Sequence, residues 1–153
     1  MFLNIESIER KKTAIHDDSG TQLTYGELCD FISEMEALQL PRSIVFCLCE
    51  NTAGILAGIA AFESIRVVPL LLSASIDASL LEELDAMYTP HYYWIPETQK
   101  ERLKGEVIFS GYGCCLVKTG YEVYPVHDRL ALLMTTSGST GLSLIHISEP
   151  TRH

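Results

Sequence analysis

No stretch of the chain approaches the roughly 18 uninterrupted apolar residues that a membrane span requires. The most apolar run, residues 67–74, is short and contains Pro69 and Ser73, so the sequence predicts no membrane association. Cationic residues are also scarce, with 11 Lys and Arg against 20 Asp and Glu, a net charge of −9. The only basic run is Arg10-Lys11-Lys12, which argues against a broad basic surface for nucleic acid. Acidity leaves room for a small anion, because backbone N–H groups and one or two cations can hold it locally.

The first twelve residues mix Glu6, Glu9, Arg10, Lys11 and Lys12 with scattered apolar side chains and lack the central apolar stretch of a secretory signal. The expected compartment is the cytoplasm. Cys29, Cys47, Cys49, Cys114 and Cys115 make an odd count, which fits reduced thiols rather than a disulfide framework. Nearly half of the 153 residues are apolar and about a fifth are charged, the profile of a globular domain with a core.

Residues 14–25 read as a hairpin, with arms Ala-Ile-His and Gln-Leu-Thr-Tyr either side of Asp17-Asp18-Ser19-Gly20. Thr24 and Glu27 form a capping box, and Leu28, Phe31, Ile32, Met35 and Leu38 continue at helical spacing, predicting a helix that runs until Pro41. The run S-I-V-F-C-L-C over residues 43–49 suits a strand covered on both faces. Asn51 is the expected cap of a following helix over 52–65, in which Gly54 and Gly58 permit close packing on a sheet. A buried strand over 66–72 comes next. Ser79 and Glu82 then suggest a cap for a helix carrying Leu80, Leu81, Leu84 and Met87. Residues 91–95 read as a strand, in which Tyr92-Tyr93-Trp94 should divide between one buried and one exposed face. A short helix over 96–104, short strands within 106–125 and a last strand over 130–134 complete the pattern.

Strands alternating with helices predict an α/β fold, a doubly wound and mainly parallel sheet with helices on its faces. The last strand runs directly into Thr135-Thr136-Ser137-Gly138-Ser139-Thr140-Gly141. Glycines there allow close backbone approach, and the hydroxyls of Ser137, Ser139 and Thr140 can donate to phosphoryl oxygens or help position Mg²⁺. The bland reading is a flexible Ser/Thr/Gly linker. Its place after a strand that follows the charged turn His127-Asp128-Arg129 favours phosphate.

Other constellations are weaker. Cys47 and Cys49 share a strand face and admit a zinc reading, but structural zinc normally draws on paired C-x₂₋₄-C or H-x₃₋₅-H clusters in loops. Gly111-Tyr112-Gly113 lacks the third glycine of a dinucleotide fingerprint and reads as a turn. Ser139 fails the G-x-S-x-G elbow, since Ser137 stands where its first glycine belongs. His16, His91 and His127 stand singly, and Asp17-Asp18 reads as turn chemistry.

Residues 130–141, L-A-L-L-M-T-T-S-G-S-T-G, together with residues 23–28, L-T-Y-G-E-L, resemble the strand-plus-phosphate-loop and early L-T-Y-x-E-L elements of the adenylate-forming, AMP-binding superfamily of acyl-CoA synthetases, nonribosomal-peptide adenylation domains and luciferase-like enzymes. The resemblance implies that Thr136, Ser137, Gly138, Ser139, Thr140 and Gly141 embrace the β- and γ-phosphates of ATP, with Mg²⁺, while a carboxylic acid attacks the α-phosphorus to give an acyl-adenylate and pyrophosphate. A thiol such as coenzyme A or a carrier protein would then accept the acyl group. Residues 1–141 would be the N-terminal part of an AMP-binding domain, with the catalytic residues further along the parent chain.

The family's loop continues G-x-P-K, whereas Gly141 is followed here by Leu142, Ser143 and Leu144. Residues 142–153 resemble a translated transposase-type sequencing adapter and are expected to be a non-native tail. A fragment of this kind, expected to be inactive alone, would leave Ile44, Phe46, Leu70 and Leu72 at risk of exposure. The rival reading is a small non-catalytic α/β module that binds a phosphorylated ligand or a protein through the same loop.

Overall fold

Alternation of short strands and helices in the sequence becomes, in the computed structural model, a hairpin followed by an α/β layer structure. Residues 2–135 and 144–148 are described. The elements are β1 (Thr13–His16), β2 (Gln22–Thr24), α1 (Tyr25–Glu36), β3 (Ile44–Cys49), α2 (Ala53–Ile65), β4 (Val68–Ser73), α3 (Ala78–Tyr88), β5 (Tyr92–Pro96), β6 (Glu106–Gly111), β7 (Cys114–Lys118), β8 (Leu130–Thr135) and β9 (Leu144–Ser148). Short 3₁₀ turns cover Phe2–Ser7 and Glu97–Arg102. Among the described residues the main sheet has the order β6-β7-β5-β3-β4-β8-β9. Its centre, β5-β3-β4-β8, is parallel. The flanking pairs β5·β7, β6·β7 and β8·β9 are antiparallel.

The apolar run of β3 is explained by helices on both sides. Val45 and Cys47 point into one core with Tyr92, Trp94 and residues of α1 and α2, while Ile44, Phe46 and Leu48 point into a second core with Leu70, Leu72, Tyr93 and the α3 residues Leu81 and Leu84. Ile44, Phe46, Leu70 and Leu72 are therefore buried within the chain itself, contrary to the exposure expected of a fragment. At roughly 1.5–3 kcal/mol for each large apolar side chain removed from water, these four contribute substantially to folding. Tyr92, Tyr93 and Trp94 also depart from expectation: all three are buried, because β5 lies inside the sheet with helices over both faces.

The caps show where local patterns suffice and where they do not. At α1 the capping box forms as expected, with Glu27 N–H donating to Thr24 Oγ1 and Thr24 N–H donating to Glu27 Oε1, each at 3.1 Å. That helix stops at Glu36 rather than running to Pro41, since N–H groups of Ala37, Leu38 and Gln39 turn back onto Ser33, Met35 and Glu36, and Gln39 takes a φ of 53°. Leu38 thus falls outside the helix. For α3 the cap is Asp77, not Ser79; its carboxylate accepts from the N–H groups of Ser79 and Leu80. Met87, expected on the apolar face of α3, is 65% exposed. The strand expected from residue 66 begins at Val68, because Arg66 closes α2 with a φ of 64°.

Gly58 lets α2 lie directly on the sheet. A Cβ there would stand 2.1 Å from Nε1 of the fully buried Trp94, and one at Gly54 would meet the Tyr112 carbonyl at 2.3 Å. The indole N–H donates to the Gly54 carbonyl at 3.1 Å. Alanine would raise helix propensity by about 1 kcal/mol, but forcing a methyl into a filled core costs about 1–3 kcal/mol. Gly58→Ala is accordingly expected to lower stability in a denaturant titration, and an increase would show that Trp94 yields freely.

Candidate functional site

The parallel core sets the place where a ligand is most readily held. The chain leaves β3 through α2 on one face to reach β4, then leaves β4 through α3 on the other face and returns across β3 to β5. Connections diverging to opposite faces open a crevice beyond the carboxyl ends of the two strands, the usual ligand position in open α/β sheets. In this chain that crevice has a volume of about 420 Å³ and is lined by Cys49, Glu50 and Asn51 at the end of β3, Ser73, Ala74 and Ser75 at the end of β4, and Gln99.

Its walls are polar and braced. Ser75 N–H donates to Ser73 Oγ at 3.2 Å, and the two serine hydroxyls pair at 2.8 Å. From the turn after β5, Arg102 donates to the carbonyls of Ala74 and Ile76, each at 3.0 Å, and to Gln99 Oε1 at 2.9 Å, fixing the β4–α3 connection. Cys49 donates to the Cys47 carbonyl at 3.5 Å, and burial pushes its thiol up to about 11. It is a neutral thiol at physiological pH.

β8 lies next to β4, with Leu70 level with Leu133 and Leu71 with Met134. Its carboxyl end therefore emerges beside the crevice at Thr135. The pairing of Thr135 with Leu144 holds the two ends of the intervening segment together. The predicted phosphate-binding residues Thr136, Ser137, Gly138, Ser139, Thr140 and Gly141 lie outside the described residues. The entry to them is firmly set: Arg42 donates to the carbonyls of His127 at 2.5 Å and Leu130 at 2.7 Å, and Arg66 donates to that of Asp128 at 2.7 Å. The charged turn before the strand thus acts through its backbone carbonyls.

A second cavity of about 510 Å³ lies at the opposite, amino ends of the strands, lined mainly by apolar groups including Ile44, Tyr88, Tyr124 and Leu133. It is larger than the crevice but far from the carboxyl ends, where strand topology concentrates ligand-binding loops. The sequence pattern singled out Asn51 as a helix cap and Cys49 in a zinc reading but did not group the crevice residues, which come from three separate places along the chain. The signal available was positional: each group directly follows an apolar strand.

Other sequence features acquire plain structural roles. Gly111-Tyr112-Gly113 makes the β6–β7 turn, with Tyr112 and Gly113 both at positive φ, as a two-residue hairpin turn requires. Cys47 and Cys114 share one core and Cys115 sits in the other. Among the described residues no group of three His, Cys, Asp or Glu side chains is placed to hold a metal ion, and no helix is long and apolar enough to cross a membrane. Asp17 does more than shape its turn. Its carboxylate accepts from Ser19 and Thr21 N–H at 3.0 Å each and reaches the Ala53 N–H at 2.8 Å, so it, rather than Asn51, caps α2. The hydrogen bond from the Ser19 hydroxyl and then that from Ala53 hold its carboxyl below the ordinary aspartate value.

The sequence matches no protein-family model and no curated protein. Solved structures do match. O-succinylbenzoate coenzyme A synthetase (MenE) from Bacillus subtilis, in complex with AMP, aligns over 95% of this chain with a TM-score of 0.62 and 18% identity. The N-terminal subdomain of Klebsiella oxytoca NpsA, in complex with anthranilyl-AMSN, aligns over 94% with a TM-score of 0.62 and 21% identity. Apo MatB from Rhodopseudomonas palustris aligns over 97% with a TM-score of 0.68 and 14% identity. The chain has the fold of the N-terminal part of adenylate-forming enzymes, and it spans 40%, 39% and 35% of the length of those three chains.

Two measurements follow from this geometry. Because the Cys49 thiol is shifted to about 11, its alkylation by iodoacetamide should rise about tenfold per pH unit between pH 8 and 10 without levelling; a plateau below pH 9 would contradict the burial. Asp17, with a depressed folded-state value, stabilises the fold above its unfolded value and loses that contribution as pH falls through the folded one. Asp17→Asn should therefore melt below the wild type at pH 7, with the gap closing as the solution is taken below pH 4. A pH-independent gap would assign the loss to shape rather than charge.

Proposed function

We propose that this chain is the N-terminal part of an ATP-dependent, carboxylic-acid-activating ligase, and that it contributes the loop that holds the nucleotide's phosphates. The observation that carries this reading is the position of β8. A strand whose sequence resembles the family's strand and phosphate loop ends at the carboxyl edge of a parallel sheet, one strand from the switch-point crevice, in a chain with the matching fold.

The residues present fit a nucleotide in two respects. Backbone N–H groups and hydroxyls of Thr136, Ser137, Gly138, Ser139, Thr140 and Gly141 would grip the β- and γ-phosphates, and a hydroxyl among them would help position Mg²⁺. The crevice offers a neighbouring polar wall of hydroxyls and amides, with Glu50 at its rim. Bound ATP supplies the electrophilic phosphorus and the pyrophosphate leaving group. The role of this segment is to hold the phosphates still and offset their charge, so that a carboxylate meets less repulsion at the α-phosphorus. Transfer of the acyl group to coenzyme A or a carrier-protein thiol would follow on the remainder of the enzyme. Residues 1–141 belong to the AMP-binding domain in this reading, residues 142–153 are not part of it, and the chain alone is inactive.

In a full-length protein containing this segment, Thr136→Ala, Ser137→Ala and Thr140→Ala should each slow ATP–pyrophosphate exchange by about 1.5–3 kcal/mol, the worth of a lost hydrogen bond to a charged group. Unchanged exchange in all three removes the loop from the reaction. Binding of pyrophosphate by a chain without any activation of acids would instead favour a phosphate-binding module.

A further inference from the structure

The cavity at the amino ends of the strands lies away from the crevice, and its walls differ in kind. Its lining is apolar or aromatic except for Thr89 and His127. Ile44 on β3 and Leu133 on β8 come from the sheet, Tyr88 from the end of α3, and Tyr124 and Val126 from the segment that leads to β8. Walls of this kind give water few hydrogen-bond partners, and a volume of about 510 Å³ is that of a small-molecule site. Met87 stands at the rim, 65% exposed, an unbranched side chain able to fold over an apolar guest.

The outer wall is tethered along its length. The Tyr124 phenol donates to the Tyr88 carbonyl. Further on, Arg42 donates to the carbonyls of His127 and Leu130, and the Leu130 N–H donates to the His127 carbonyl at 3.0 Å. A wall held in this way needs little ordering when a ligand enters.

At the His127 side the chemistry changes. Arg42, Arg66 and Arg129 converge on residues 127–130, three of the 11 Lys and Arg in a chain of net charge −9, and that segment sets one carboxylate, Asp128, against them. Arg42 and Arg66 donate to carbonyls there, so what they offer a ligand is positive potential rather than a guanidinium fork. The donor is His127. Arg129 N–H donates to its Nδ1 at 3.2 Å, which places the proton of the neutral ring on Nε2.

We propose that this cavity binds an amphipathic carboxylate, with its unbranched apolar tail among Ile44, Tyr88, Tyr124, Val126 and Leu133 and its headgroup at His127 beside the three arginines. Charge complementarity selects the anion: an alcohol of the same length would fill the walls but gain nothing from the arginines, and an amine would be repelled by them. None of these residues belongs to the crevice or to the loop after β8, so the site stands or falls apart from the ligase reading.

The test is calorimetric titration of the 153-residue chain with butyrate, hexanoate and octanoate, and with 1-octanol and octylamine. Octanoate is expected to bind at one site, with affinity rising about fifteenfold for each added pair of methylenes. It should bind at least about tenfold more tightly than 1-octanol, the worth of a hydrogen bond to a charged group, and octylamine should show no saturable binding. His127→Ala should bring octanoate down to the affinity of 1-octanol while leaving 1-octanol itself unchanged, and Val126→Phe, which fills the cavity, should abolish binding of both. In methyl NMR spectra the Met87 resonance should move with octanoate, and that of Met35, sealed in the other core, should stay. An affinity independent of tail length overturns the inference, as does 1-octanol or octylamine binding as tightly as octanoate, or a folded Val126→Phe that binds octanoate as the wild type does. Should His127→Ala fail to fold, the headgroup series on the wild type and Val126→Phe decide the matter.

Discussion

Contact between the indole of Trp94 and the glycine-bearing side of α2 sets much of what surrounds it. The helix can descend onto the sheet only where Gly58 leaves room for the ring, and the indole N–H then ties the first turn through the Gly54 carbonyl. That depth fixes where the amino end of α2 lies, hence the path of Glu50 and Asn51 along the crevice and the distance from Asp17 to Ala53. A wider separation would leave Asp17 a turn residue alone. Two glycines inside a helix lower its intrinsic propensity, and the buried aromatic contact is what offsets them.

The two cores divide the work of the fold. On one side α1 and α2 stack over Val45, Cys47 and Trp94; on the other, α3 and the irregular segment after β7 cover Phe46, Leu70 and Tyr93. Asp85 links the second cover together, accepting from the phenols of Tyr93 and Tyr121, while the Tyr124 phenol donates to the Tyr88 carbonyl. Burial and the hydrogen bond to Asp85 both push the Tyr93 phenol up, so it remains a donor. This strapping delivers the chain to Arg42 and Arg66, which set the start of β8 through three carbonyls. The start of β8 is thus held by contacts from distant parts of the chain, while its end is held by pairing with β4 and β9.

Local patterns were readable where one segment supplied both partners of an interaction. The Thr24–Glu27 box, the helical spacing of Leu28, Phe31, Ile32 and Met35, the two-sided apolar run of β3 and the turn at Tyr112-Gly113 all involve neighbours in sequence. Tyr92-Tyr93-Trp94 misled because alternation marks the two faces of a strand, while whether each face meets solvent depends on helices elsewhere. The cap of α2 was unreadable for the same reason, since Asp17 and Ala53 are 36 positions apart.

Sequence alone therefore determined the α/β class and the order of most of its strands and helices, because periodicity, turn residues and composition are properties of contiguous residues. Tertiary structure decided the rest. Strand order put β8 beside β4, opposite crossovers opened the crevice among residues from three connections, and close packing of α2 brought a hairpin carboxylate onto its amino end. These depend on which distant segments meet, and hydrophobic burial, being non-directional, specifies that only through the packing of the whole.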